Sequence, residues 1–227
     1  MTVTIETKKR IAEDWLHSFP QLSRYQANKF YKIIGPVVIG VELIKLPRTE
    51  EYRPHYVMYP LWRANLKQCL DAPIILSEFK NNKNLQYNIP YESNHKDFQD
   101  AIFQAKSQRP TLISDRISYK EILSEIKHYA ENSYLKASPN SYWQALLKEA
   151  QLIICLYVDS EEANAVLKDI RDVDWNVAHF KNNGVDKAIW IEEMGNLLKQ
   201  CDSVLSQIRL NQKDSKICKL PYHELIK

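Results

Sequence analysis

The spacing of hydrophobic positions changes once along the chain, near residues 91–94. Before that point it reads mainly as strands. Residues 37–45 (Val-Val-Ile-Gly-Val-Glu-Leu-Ile-Lys) are apolar and β-branched over strand length, and residues 55–61 are rich in tyrosine and valine and partly alternate. Between them, residues 47–54 are polar and bounded by Pro47 and Pro54, which predicts a long hairpin loop. A short strand at residues 30–34 turns at Gly35-Pro36 into the long one. Two further runs, at residues 72–76 and 85–89, follow a helical turn near residues 66–70 and flank the turn-forming Asn81-Asn82-Lys83-Asn84. The result is a five-stranded, largely antiparallel sheet. Ahead of it, residues 4–18 form a helix with Ile11, Trp15 and Leu16 on one face, stopped by Pro20, and residues 21–29 form a polar connection.

From Ser93 the period is helical. Phe98, Ala101, Ile102 and Ala105 recur at i, i+3, i+4 and i+7 up to Arg109-Pro110. Ser118-Tyr119-Lys120-Glu121 has the letters of a capping box, ahead of a face made by Ile122, Leu123, Ile126, Tyr129 and Ala130. Ser138-Pro139 reads as the start of the most regular helix, with Trp143, Leu146, Leu147, Ala150, Ile153, Ile154 and Tyr157 on its face. Asp159 or Ser160 caps the next, a short piece around residues 175–180 ends at Asn182-Asn183-Gly184, and one long helix is expected over residues 186–208. The fold class is therefore α+β: an N-terminal helix and antiparallel sheet in residues 1–92, then a mainly α-helical half in residues 93–227, packed as one unit with the first.

Composition narrows the function classes. At 227 residues and 44% apolar content the chain can bury roughly 70% of its unfolded surface without disulfides or metals. The 31 basic and 28 acidic residues are interspersed, so the net charge of +3 implies no nucleic-acid partner, and the basic residues 213–227 read as a solvated strip. Cys69, Cys155, Cys201 and Cys218 stand far apart with no histidine at ligand spacing, which argues against zinc. No apolar leader or membrane-length run occurs, so a reduced, cytoplasmic protein is expected. With only four glycines, none clustered, the phosphate-cradling loops of nucleotide-binding proteins are absent.

Nothing amounts to a catalytic signature, and two candidate sites remain. The apolar run Ile74-Ile75-Leu76 leads into Ser77-Glu78-Phe79-Lys80, an E-x-K strand end of the kind that metal-dependent nucleases of the restriction-endonuclease type use. There the carboxylate holds Mg²⁺ and the lysine orients the attacking water, with Glu42 on the neighbouring strand as the second carboxylate. A plain strand exit with solvated charge explains the same letters. The other candidate is recognition. Arg48, Tyr52, Arg53, His55 and Tyr56 gather at the hairpin, and tyrosine and arginine are enriched where proteins meet. Tyrosines packing one sheet face are the plainer account of them. The six histidines are scattered, and the acidic pairs fit helix termini or solvated helix faces.

The layout of a helix, the long strands of residues 29–62, then helices ending in the lysine-rich Asn211-Gln212-Lys213-Asp214-Ser215-Lys216 and Leu220-Pro221 resembles small bacterial proteins encoded beside polymorphic secreted toxins, several of which serve as immunity proteins. The resemblance is one of layout and carries no site residue with it. It implies a non-enzymatic binding protein whose partner is a protein, concretely a cognate toxin whose active site it covers, with no cofactor.

Overall fold

A computed structural model describes residues 3–227. The chain opens with α1 (Ile5–Ser18), capped by the Thr4 side chain, which accepts from the Thr7 N–H at 3.1 Å. Ile11, Ala12 and Trp15 form its buried face. A four-strand meander follows: β1 (Ser23–Gln26), β2 (Lys29–Ile34), β3 (Val37–Lys45) and β4 (Glu51–Pro60). After the single turn α2 (Leu66–Cys69), β5 (Ile75–Glu78) completes the order β1-β2-β3-β4-β5, antiparallel throughout. β6 (Ile89–Pro90) pairs with the start of β4, beyond the end of β5.

The remaining elements are α3 (His95–Gln108), β7 (Ile117–Ser118), α4 (Tyr119–Asn132), α5 (Tyr142–Tyr157), α6 (Glu162–Asp172), α7 (Val177–Asn182), α8 (Lys187–Leu197), α9 (Cys201–Gln212), β8 (Tyr222–His223) and β9 (Leu225–Ile226). The α+β expectation holds: helix, antiparallel sheet, then a mainly helical half. No helix among the described residues is long and apolar enough to cross a membrane.

Strand alternation divides the sheet into two faces. On the first, Phe30, Ile34, Ile39, Val41, Tyr52, Tyr56, Met58 and Ile75 join a core that runs from Val3 to Leu225 and takes in α1 and α3 to α8. On the second, Tyr31, Ile33, Val38, Val57 and Tyr59 pack under Leu66 and Cys69 of α2, Ile208 of α9, Ile217 and Leu220. Each aliphatic side chain buried in this way contributes ~1.5–3 kcal/mol.

Several boundaries move, each for a physical reason. The hairpin loop is shorter than predicted, because β4 starts at Glu51 and runs straight through Pro54. Pro54 is tolerated there because its carbonyl, and hence its missing N–H, faces the gap between β5 and β6, where Phe79 N–H donates to Pro54 O at 3.4 Å. The polar connection after α1 contains β1, and the run at residues 85–89 supplies only the two-residue β6 and an isolated bridge from Gln86 to Lys80.

Helix α5 is capped by Ser141 rather than Ser138, and it is buried on nearly all sides, which turns Trp143 outward at 45% exposure. The single long helix expected over residues 186–208 is two. It breaks between Leu197 and Cys201, so that α8 sends Trp190 and Met194 into the first core while α9 sends Ile208 into the second. The lysines of the basic tail, Lys213, Lys216, Lys219 and Lys227, are exposed as expected, but the tail is also anchored. Ile217 and Leu220 are buried, β8 pairs in parallel with the end of β2, and β9 pairs in parallel with β7.

Candidate functional site

Directly opposed residues of antiparallel strands share a face, so register alone assembles a row across the second face of the sheet. Lys29 pairs with Glu42, Glu42 with His55, and His55 with Glu78. Four sequence candidates thus come together: Glu42, His55 and Glu78 in this row, and Arg53 on the same face two residues before His55.

Glu42 is buried, and its Oε1 accepts from Lys29 Nζ at 3.1 Å, from Tyr59 OH at 2.7 Å and from Tyr31 OH. Tyr31 reaches it by lying across Gly40. A Cβ at position 40 would stand 2.6 Å from the Tyr31 ring and 1.9 Å from Phe30 O, so glycine is required by close approach. Tyr25 stacks on Tyr31 with ring centroids 5.2 Å apart. Burial first, and the adjacent Glu42 carboxylate second, push both the Tyr31 and Tyr59 hydroxyls far up from their ordinary value, so both stay protonated.

His55 Nδ1 lies 3.0 Å from Arg53 O, and since a carbonyl only accepts, Nδ1 carries the proton and Nε2 the lone pair in the neutral ring. Burial lowers its pKa below the ordinary histidine value, although the Arg53 carbonyl and Glu78 oppose this. Glu78 accepts from Arg53 Nη1 at 3.3 Å, while Arg53 Nε and Nη2 donate to Asn88 Oδ1 at 3.1 and 2.8 Å. Beside them Leu76 is 42% exposed, so this half of the face is not roofed as the other half is.

The three residues of the metal-nuclease reading do not converge. Glu42 and Glu78 lie two strand spacings apart, ~10 Å, with the His55 strand between them. Each carboxylate is already paired with a cation, Lys29 or Arg53. Lys80 is exposed and its backbone is engaged by the Gln108 side chain of α3. Among the described residues, no group of three or more His, Cys, Asp or Glu is placed to hold a metal ion.

The hairpin candidates divide. Arg48 is exposed at the tip of the β3–β4 turn with φ 66°, and Arg53 and His55 belong to the row. Tyr52 and Tyr56 are fully buried on the opposite face, a correction to the tyrosine-lined loop expected from the sequence. Tyr52 OH accepts from Trp15 Nε1 at 2.9 Å and donates to Asn94 Oδ1. Tyr56 OH donates to Glu125 Oε2 at 2.6 Å beneath the Arg109 guanidinium. In the same layer Lys32 is fully buried, donates to Ser114 O at 2.7 Å, and is pushed down to about 8 by burial. Tyr52 thus ties the sheet to α1 and the start of α3, Tyr56 and Lys32 tie it to residues 109–125, and all three are shut off from ligands.

A second buried carboxylate was not singled out by sequence reasoning. Glu149 of α5 accepts from Trp62 Nε1 at 3.2 Å through Oε1 and from Trp190 Nε1 at 3.3 Å through Oε2, and Arg63 Nη1 forms an ion pair with Oε1 at 3.0 Å. It borders a cavity of about 340 Å³ lined also by Ile153, Glu193, Met194, Leu197 and Val204. The available signal is its position: Glu149 falls on the stripe of Ala145 and Leu152, where an apolar residue is expected.

No protein-family model matches the chain, and no curated protein or solved structure matches it.

Proposed function

We propose that the chain is a non-enzymatic, cytoplasmic binding protein that engages a protein partner through the unroofed half of the sheet, in its most concrete form an immunity-type protein that neutralises a toxin by covering its active site. The observation that carries this reading is the row of residues held rigid on the sheet beside exposed Leu76, with Arg53 and Glu78 at its surface and Arg48 projecting from the hairpin. A pre-ordered patch of arginine, carboxylate and an aliphatic side chain, fixed by strand register, loses little entropy when a partner docks. The immunity form adds the resemblance of layout. Against the Mg²⁺-nuclease alternative weigh the separation of Glu42 from Glu78 and the cation already on each.

The test is inspection of the gene neighbourhood for a secreted toxin and co-expression of the chain with that toxin, read as growth. Protection by the native chain, lost in the doubly reversed Arg48→Glu/Arg53→Glu variant, is the expected result. A chain that does not protect sinks the immunity form, and full protection by the reversed variant sinks the surface. Incubation with DNA and RNA in Mg²⁺ or Mn²⁺ tests the alternative, where cleavage abolished by Glu78→Ala would reinstate it.

A further inference from the structure

The cleft over Glu149 brings a buried charge, aromatic donors and open volume together. Its volume of about 340 Å³ is enough for a ligand of amino-acid size. Ile153, Met194, Leu197 and Val204 give it apolar walls. Two carboxylates, Glu149 and Glu193, face one guanidinium, Arg63, so the lining carries one net negative charge and favours a cation.

The three partners of Glu149 are not equivalent. Trp190 is buried and an indole N–H only donates, so that contact is fixed by packing. The Arg63 side chain is 38% exposed against 7% for Glu149, so Arg63 comes in from the solvent side. Each oxygen takes one indole donor, whereas each oxygen of a carboxylate accepts about two, which leaves the carboxylate with capacity for further donors beside the Arg63 ion pair.

We infer that this cleft binds a small organic cation, an alkylguanidinium or alkylammonium, with Glu149 as counter-ion, its apolar stem against Ile153, Met194 and Leu197, and Arg63 as the internal cation it displaces. The inference is independent of the recognition surface on the sheet. A purely structural ion pair predicts the opposite response to loss of Arg63: a less stable protein that takes up no ligand.

Agmatine is the probe, titrated into the full-length protein by calorimetry and by the fluorescence of the tryptophans that meet Glu149. The native chain binds it, and Arg63→Ala binds it roughly fivefold tighter, since a part-exposed ion pair competing for the same carboxylate is worth about 1 kcal/mol. Glu193→Gln weakens binding roughly twofold to threefold, the scale of a screened surface charge. Butanol, which has a similar stem without the charge, gives no signal. Glu149→Gln abolishes binding, and should that variant not fold, Arg63→Ala and Glu193→Gln decide the matter. If Arg63→Ala does not fold, Arg63→Met, which keeps the stem, replaces it. A folded Arg63 variant that ignores millimolar agmatine, or binds it no better than the native chain, overturns the proposal.

Discussion

Glu42 and Glu149 are buried carboxylates with matching partners, two aromatic donors and one cation each, but the partners are recruited differently. Those of Glu42 stand on the adjacent strands β2 and β4, so the register that makes the sheet also makes the cluster. Those of Glu149 come from the segment after β4 and from α8, and they meet only when the helical half has packed against the sheet. The donors differ in chemistry as well. Phenol hydroxyls donate and accept, so Tyr31 and Tyr59 can satisfy one another, whereas two indole N–H groups cannot. One cluster belongs to a surface already rigid, and the other is a joint between layers.

The most disruptive way to break the first cluster leaves Glu42 itself alone. Gly40→Ala sets a methyl against the Phe30 carbonyl and under the Tyr31 ring, and a loss above about 4 kcal/mol is expected in urea denaturation. Near-native stability would mean that the Tyr31 ring does not depend on that glycine. Next come the carboxylates. Glu149→Ala leaves two indole N–H groups without an acceptor and should cost ~2–5 kcal/mol, while Glu42→Ala should cost ~1–3 kcal/mol because its phenols can re-pair; Arg63 and Lys29 can both reach water. The reverse order would overturn the distinction between phenol and indole donors.

Alkaline titration sharpens the same contrast with a smaller effect. Tyr31 and Tyr59 hold their protons in the folded state, while the unfolded chain releases them near pH 10. The unfolded state then binds fewer protons, so stability declines as pH rises above 10. A Tyr31→Phe/Tyr59→Phe variant should show a flatter fall in Tm between pH 9 and 11, and variants at Trp62 or Trp190 should keep the native slope. The smallest effect belongs to His55. Its folded pKa is lowered, so below about pH 6.5 the unfolded chain takes up a proton that the folded one resists, and stability falls as the solution is acidified. His55→Gln should remove that part of the slope in Tm between pH 7 and 5, and an unchanged slope would place the ring in water.

What was legible in the sequence follows the same division. Glu42 and Glu78 could be placed on strands because alternation over a few residues decides which face a side chain takes, and the faces of α3 and α4 follow from 3.6-residue spacing in the same local way. Tyr52 and Tyr56 were misread because Pro54 and the charges at Glu50, Glu51 and Arg53 resemble a loop, although Tyr52, Tyr56 and Met58 share one face at period two and Val57 and Tyr59 take the other. The excuse for Pro54 lies in the gap between β5 and β6, which no local pattern contains. Glu149 needs residues 41 and 87 positions away. The two-helix break after Leu197 likewise answers to the two cores on either side, and the stripe itself runs on unbroken.

The parallel pairing of Ile33 with Tyr222 also has a bearing on biosynthesis. β2 leaves the ribosome roughly ten to forty seconds before β8 at 5–20 residues per second. Throughout that interval the end of β2 offers bare N–H and C=O groups that another nascent chain could pair with. The sheet is thus drawn early in translation and sealed only once Tyr222 and His223 have been made, so a chain stalled before them would carry an open, adhesive edge where the longer one has a strand.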